Sequence, residues 1–447
     1  MKRDTGTGLA EGEMTSFQWL AVGICVMLVM LDGFDVLVMA FTASSVAAEW
    51  QLNGAQLGFL FSAGLVGMAI GSLFLAPLAD RWGRQAIILV CLVIITVGMA
   101  LSALARSSIE LGLLRALTGL GIGGMLASVG VITAEFASDK WRSTAVSLQA
   151  TGYPIGATIG GTIAAVLLDL HGWRSVFVFG SLATALMIPV VLWRLPESLD
   201  FLLNRQPRGA LKKANALLRQ MHRPQLAQLP PRAAKLAGAP STGVAGLFDA
   251  RLRGATLLLW GAFFLLMFSF YFALSWTPKL LVSAGLSATQ GVTGGVLLNV
   301  GGIAGGGIFG VLAARFGLRP LTASALVLTA LALVVFGLCT DQLSAAFAAA
   351  SAIGAFIFAS MAGLYAFAPV IYPAAVRTTG LGWAIGVGRL GAVLGPFVAG
   401  LLLDRNWPAP HLYFIYALPL VAAAAAVLAM GRRGGVHAPS AAVASAH

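Results

Sequence analysis

The chain has 447 residues, 59% of them hydrophobic and only 10% charged, against roughly 45–50% and about 25% in ordinary globular domains, so it reads as a polytopic membrane protein. Its formal net charge of +12 would suit a nucleic-acid surface, but the basic residues gather in alternate loops, so the excess is one of topology. Cys25, Cys91 and Cys339 all fall in apolar stretches, where they read as small buried hydrophobes, with neither a disulfide framework nor a CxxC metal spacing.

The polar start MKRDTGTGLAEGEMTSFQ precedes a run too long for a signal-peptide core, so no cleaved signal is expected. Six spans are predicted in the first half, at 17–42, 54–78, 86–105, 111–136, 143–168 and 175–195. Each is long enough to cross a hydrocarbon core about 30 Å thick. The first carries Asp32 and Asp35 within MLVMLDGFDVLVMAF, and each would cost about 2.5–3.5 kcal/mol at a bilayer centre. Asp32 cannot simply end this helix: Phe17 to Leu31 would rise only about 22 Å, and the apolar VLVMAF beyond also needs burial. Positions i and i+3 share a helix face, so both carboxylates can point into one cavity, with Gly33 permitting close packing. Two carboxylates so close are not both ionised without cost, which suits a site that loads and releases a proton. The alternative, structural pairing with an Arg of a neighbouring helix, is compatible with proton coupling.

After the second span comes LAPLADRWGRQ, Leu75 to Gln85. Gly83 allows a tight turn, Arg81 and Arg84 anchor at the inner interface, and Asp80 can face helix N-termini or cations across a bundle interface. The plainer reading is a basic hairpin with no gating role. The fourth span holds Arg115 and Glu135 at opposite ends. Its GLGIGG matches the dinucleotide pattern only literally: no strand precedes it, and close helix packing through small residues explains it better. Tyr153 lies in the fifth span, in TGYPIGATIGG.

The one long polar stretch, 196–253, with RPQLAQLPPRAA and the basic GALKKANALLRQM, reads as a cytoplasmic linker between a bundle at 1–195 and another at 254–430, followed by a cytoplasmic tail at 431–447. Six further spans are predicted at 254–277, 287–313, 320–340, 343–371, 379–403 and 411–430. With a cytoplasmic N-terminus, the outer loops receive only Arg106, Arg174, Lys279 and Arg405, spans hold Arg115 and Arg389, and every other Lys and Arg is inside. That asymmetry places both termini in the cytoplasm. Arg389, in the glycine-rich GVGRLGAVLGPFVAG of the eleventh span, can fork two hydrogen bonds onto a carboxylate. With Trp383, Tyr153, Tyr271 and Tyr365 as candidate walls, the natural ligand is an aromatic carboxylate. Each aromatic has ordinary packing as its alternative.

FGVLAARFGLRP, Phe309 to Pro320, echoes LAPLADRWGRQ at the same ordinal loop of the second half, pairing Arg81 with Arg315 and Gly83 with Gly317. Parallel repeats of this kind mark one large class of secondary transporters. The chain resembles the major facilitator superfamily along essentially its whole length, through a loop motif G-x-L-A-D-R-x-G-R-[KR] that departs here at Ala76 and Gln85. The resemblance implies an all-α membrane protein with twelve transmembrane helices in two six-helix bundles. It also implies that Asp80, Arg81, Gly83 and Arg84 help hold the bundles together on the cytoplasmic side when the transporter faces outward.

DGFD in the first span, Arg115 in RALTGLGIGG, Glu135 in TAEFASDKWRS and YPAAVRTTGLGWAIGVGR, Tyr372 to Arg389, resemble the aromatic acid:proton symporter subfamily. This implies uptake of benzoate or hydroxybenzoate-type acids driven by the proton gradient. Asp32 and Asp35, with Glu135, are implied in coupling, and Arg115, Arg377 and Arg389 in binding or conformational change. Ala157 stands where the antiporter pattern has proline, which favours symport. The expected partners are protons, a small aromatic carboxylate and the lipid bilayer, with no cofactor, metal or nucleic acid, and a monomer suffices. Rival readings are a symporter of another organic acid or a sugar, or an exporter. A membrane-embedded enzyme or receptor lacks HExxH, GxSxG or a sizeable soluble sensor region.

Overall fold

The computed structural model describes residues 13–230, 244–249, 252–340, 342–372 and 376–433. Most of the expected tail, 434–447, and Pro373 to Ala375 of the eleventh-span segment lie outside the described residues. The described chain contains 12 helices long and apolar enough to cross a membrane. They are α1 (Ser16–Trp50), α2 (Gly54–Phe74), α3 (Arg84–Ser102), α4 (Ser108–Phe136), α5 (Arg142–His171), α6 (Trp173–Arg194), α7 (Arg253–Ser283), α8 (Ala288–Phe316), α9 (Leu318–Leu338), α10 (Leu343–Ile371), α11 (Arg377–Asp404) and α12 (Ala409–Arg433). Between α6 and α7 run the short helices Leu199–Arg205, Ala210–Gln220 and Val244–Leu247. Several spanning helices outrun their apolar stretch. α1 continues to Trp50, beyond the 42 expected, because a helix needs no hydrocarbon to extend through its small, weakly polar end TASSVAAEW.

The helices form two six-helix bundles with the same internal plan. In the first, α1 packs on α5, α2 on α4 and α3 on α6; in the second, α7 packs on α11, α8 on α10 and α9 on α12. Small residues set the close crossings: a Cβ on Gly33 would strike the Tyr153 carbonyl, and one on Gly391 the Phe264 carbonyl. With lipid outside, such close backbone approach supplies the packing that hydrophobic burial supplies in water.

Two further landmarks repeat. Helices α2 and α8 both begin with a capping box, Asn53 with Gln56 and Ser287 with Gln290, each satisfying orphan backbone donors of the first turn. Gly83 and Gly317 both join two helices in the same left-handed conformation, φ 105°, ψ 150° and φ 81°, ψ 144°, which a residue with a Cβ rarely adopts.

The bundles meet along α2 with α11, α5 with α8 and α1 with α7. Two ends of the molecule can be named. The terminal end carries the start of α1, the end of α12 and the segment between α6 and α7; the hairpin end carries the turns after α1, α7 and α11. Named inter-bundle contacts gather toward the hairpin end. There, Cβ atoms on Gly54 and Gly400 would each meet the other's backbone, Gly58 lies on Pro396 and Phe397, and Phe61 meets Trp276 edge-on with centroids 5.1 Å apart. Toward the terminal end, Cβ atoms on Gly306, Gly310, Gly382 and Gly386 would meet no described residue within 4 Å.

Candidate substrate and coupling site

Helix α1 runs unbroken through Asp32 and Asp35, and both are buried, at 2% and 1% exposure. The two carboxylates look to different partners. Asp35 has Arg115 of α4 as its charged neighbour, and Arg115, itself buried, donates from Nη2 to the Asp35 main-chain oxygen at 2.5 Å. Arg115 also contacts Met99 Sδ at 3.1 Å and lies over the Phe177 ring at 5.9 Å, so it is held wholly inside the first bundle. Asp32 feels the charge of Asp35 and, with opposite sign, that of Arg389 of α11 in the second bundle. Residues three apart on a helix diverge by about 60°, enough for one carboxylate to look into its own bundle and the other across the interface.

Around Asp32 and Arg389 the tyrosines assemble. Tyr271 of α7 is within electrostatic reach of Asp32, Arg389, Tyr153 and Tyr365, and Tyr365 of Arg389. Tyr153 has a buried hydroxyl with no hydrogen-bond partner among the described residues, and its ring lies 6.5 Å from Phe358. Asp32, Tyr153, Tyr271, Tyr365 and Arg389 thus form one cluster between the bundles, an acid and a guanidinium among tyrosines. The Oδ1 atoms of Asp32 and Asp35 are likewise unpartnered among the described residues. Trp383 stands apart from this set. It is 47% exposed and stacks on Trp260, with centroids 5.7 Å apart.

Glu135 is far along α4 from Arg115 and serves a different group at the terminal end. Arg84 Nη1 donates to the Glu135 carboxylate and to Ser198 Oγ. Glu197 accepts from the backbone N–H of Arg84 at 2.8 Å and of Gln85 at 3.3 Å, and a Cβ on Gly83 would strike that carboxylate. Arg205 donates to the Asp80 carbonyl at 2.8 Å, while the Asp80 side chain is 72% exposed and 3.8 Å from Arg84. All these contacts stay within the first bundle and the segment that follows it. Arg81 is exposed. Arg315, also exposed, packs over Phe316 at 5.6 Å, next to Gly317, and Arg377 donates to the Tyr372 carbonyl at 3.3 Å.

At the hairpin end, two aspartates reach across between the bundles. Asp404, at the end of α11, accepts from the Gly54 and Ala55 N–H groups of α2 at 2.6 and 3.0 Å. Asp169, at the end of α5, accepts from Thr289 Oγ1 of α8 at 2.8 Å. Ala55 and Thr289 both stand two residues after their capping-box residue, so the two contacts fall at corresponding positions of the repeat, one through main-chain N–H groups and the other through a hydroxyl. Sequence reasoning missed both, although Leu167-Leu168-Asp169 and Leu402-Leu403-Asp404 form a readable echo. It missed Glu197 and Ser198 as well, which look like ordinary linker polarity.

Comparison with known proteins agrees with this architecture. Residues 22–338 match the model of the Major Facilitator Superfamily. The chain is 34% identical over 421 residues to a gallate transporter of Pseudomonas putida, covering 94% of this chain and 93% of the relative. It is 29% identical over 428 residues to a 4-hydroxybenzoate transporter of Pseudomonas aeruginosa, with 94% and 93% covered. The solved xylose transporter of E. coli, in a partially occluded inward-open conformation, superimposes with a TM-score of 0.72 at 19% identity over 94% of this chain and 98% of its own. The chain belongs to the Major Facilitator Superfamily, as a multi-pass membrane transporter and not an enzyme.

Proposed function

We propose that this protein takes up an aromatic carboxylate of the benzoate or hydroxybenzoate type together with protons, by alternating access. The observation that carries the reading is the cluster of Asp32, Arg389 and three tyrosines between the bundles. A guanidinium fits a carboxylate, aromatic walls fit a ring, and a buried acid opposite can hold the proton that offsets the incoming negative charge. The names of the relatives, gallate and 4-hydroxybenzoate transporters, support the same ligand class.

The basic terminal end is assigned to the cytoplasm of a bacterial inner membrane by the positive-inside rule. The closed hairpin end is then the outer gate, and the described conformation opens inward. This accounts for Asp80 being exposed: its proposed work, clasping the bundles on the cytoplasmic side, belongs to the outward-facing state. In that state the carboxylate binds at Arg389, with Tyr153, Tyr271 and Tyr365 against the ring, while the Asp32/Asp35 region takes a proton. The bundles rock, the Asp404 and Asp169 contacts form outside, and substrate and proton leave inward. Arg115 and Asp35 hold the first bundle rigid beside the proton site, and the Arg84–Glu135 pair with Arg315, Gly317 and Arg377 shapes the inner rim. One chain contains every element of this cycle, so a monomer is its functional unit.

The test is radiolabelled 4-hydroxybenzoate uptake into proteoliposomes holding the full chain. Accumulation is expected with an inward proton gradient and abolished by a protonophore. Accumulation that survives collapse of the gradient would overturn the coupling.

A further inference from the structure

Asn299 lies in the interior of α8 among glycines, at 1% exposure. Its Nδ2 donates to the Gly295 carbonyl one turn earlier at 2.9 Å, which fixes the amide's orientation. Its Oδ1 has no partner among the described residues. A buried carbonyl oxygen left unpaired is unfavourable, and a leucine here would avoid the penalty. What the position suits is a donor from outside the chain.

The surroundings say which donor. Gly295, one turn before, faces Phe41 of α1 and Pro278 of α7, and Gly302, three residues after, lies on the Phe358 ring of α10. Phe358 in turn faces Tyr153 at 6.5 Å and Phe270 at 5.1 Å. Asn299 sits between those two glycines on the helix, so it borders the aromatic wall described above. Counting along α8 and α11 from their hairpin ends, Asn299 lies about 6 Å nearer that end than Arg389, at a rise of 1.5 Å per residue. That offset is comparable with the length of a benzoate ring. Gln149 also has an unpartnered buried oxygen, one turn from Tyr153, but its side chain is only half-buried and lies on the opposite side of Tyr153 from the hairpin end.

We propose that Asn299 is a specificity-determining residue that accepts a hydrogen bond from a ring hydroxyl of the substrate, selecting hydroxylated aromatic acids over unsubstituted ones. The inference rests on the reading of Arg389 as the carboxylate site. The ring then spans Tyr153, Tyr271 and Phe358, with its carboxylate toward Arg389 and its hydroxyl toward the closed gate. An uncharged acceptor asks only for an intact O–H donor, and a substituent of similar size without one leaves Oδ1 unpaired.

The experiment measures competition by benzoate, 3- and 4-hydroxybenzoate, 3,4,5-trihydroxybenzoate and the matching 3- and 4-fluorobenzoates against labelled benzoate, on the full chain in proteoliposomes. Wild type is expected to prefer at least one hydroxylated acid over benzoate and its fluoro counterpart by roughly five- to tenfold, the worth of one uncharged hydrogen bond. In Asn299→Leu that preference is expected to fall within about twofold of parity, with benzoate binding retained. A preference that persists in Asn299→Leu overturns the assignment, as does equal wild-type affinity for the fluoro and hydroxy acids. The second comparison needs no variant, so it decides even if Asn299→Leu fails to fold. A wild type that binds no aromatic acid would sink the transport reading itself, whereas one that binds benzoate without hydroxyl preference sinks only the role of Asn299.

Discussion

Asp32 and Asp35 stand three positions apart, and the difference in their partners gives them different expected phenotypes. Asp35 balances Arg115, a buried cation whose hydrogen bonds go to a main-chain oxygen and a methionine sulfur. Removing the charge of Asp35 leaves that cation uncompensated in a low-dielectric interior, a loss of about 3–5 kcal/mol. Asp32 has no such tightly held partner among the described residues. Both Asp32→Asn and Asp35→Asn are therefore expected to abolish proton-driven accumulation, but only Asp35→Asn should markedly lower the melting temperature of the purified protein. Wild-type accumulation in either variant would remove that residue from coupling, and equal melting temperatures would refute the division of labour. The charges themselves were legible in the sequence, because an acid or a guanidinium in an apolar run has no cheap explanation. Their partners were not, since pairing depends on which helix lies alongside.

At the scale of the helix, the bundles are joined at the hairpin end by helix ends as well as by helix faces. A helix N-terminus exposes unsatisfied N–H groups and a partial positive charge. Asn53 satisfies one of those groups within α2, and Asp404 of the other bundle accepts from two more. On the pseudo-symmetric side Asp169 reaches the first turn of α8 at the corresponding position, through the Thr289 hydroxyl rather than a main-chain N–H. These contacts face solvent, so each contributes only about 1 kcal/mol to the state closed at the hairpin end, yet that is a fivefold bias in a two-state equilibrium. Asp404→Ala is expected to raise labelling of a cysteine placed at Ser283, which borders the gap beside Asp404, by a membrane-impermeant maleimide. The double variant with Asp169→Ala should label faster still, and unchanged rates in both would show that the aspartates do not hold the gate. The spans and repeat could be read from hydropathy and the Gly83/Gly317 echo, because period and length suffice for those. The gate could not, because an aspartate at a span end looks like the start of any loop, and only the docked partner helix reveals what it caps.

For the molecule as a whole, charge balance across the interface constrains what crosses the membrane. The bundle interior holds the buried acids Asp32 and Asp35, the buried Arg115 and the half-buried Arg389, so an empty carrier with both acids ionised reorients without moving net charge. Adding one aromatic carboxylate makes the core negative, and one proton restores neutrality. A second proton would carry an unbalanced positive charge through the low-dielectric step. Carrying the anion alone into an inside-negative cell would cost about 2.3 kcal/mol per 100 mV, whereas anion with one proton feels only the pH gradient. Uptake is therefore expected to be electroneutral. In proteoliposomes at equal pH on both sides, a valinomycin-imposed, inside-negative potassium potential should drive no accumulation of 4-hydroxybenzoate. An interior one pH unit more alkaline, at zero potential, should drive up to about tenfold accumulation, since each tenfold ratio corresponds to 1.36 kcal/mol. Potential-driven accumulation would instead mean two or more protons per substrate, and the additional proton would have to sit on a group outside the Asp32–Arg389 pair.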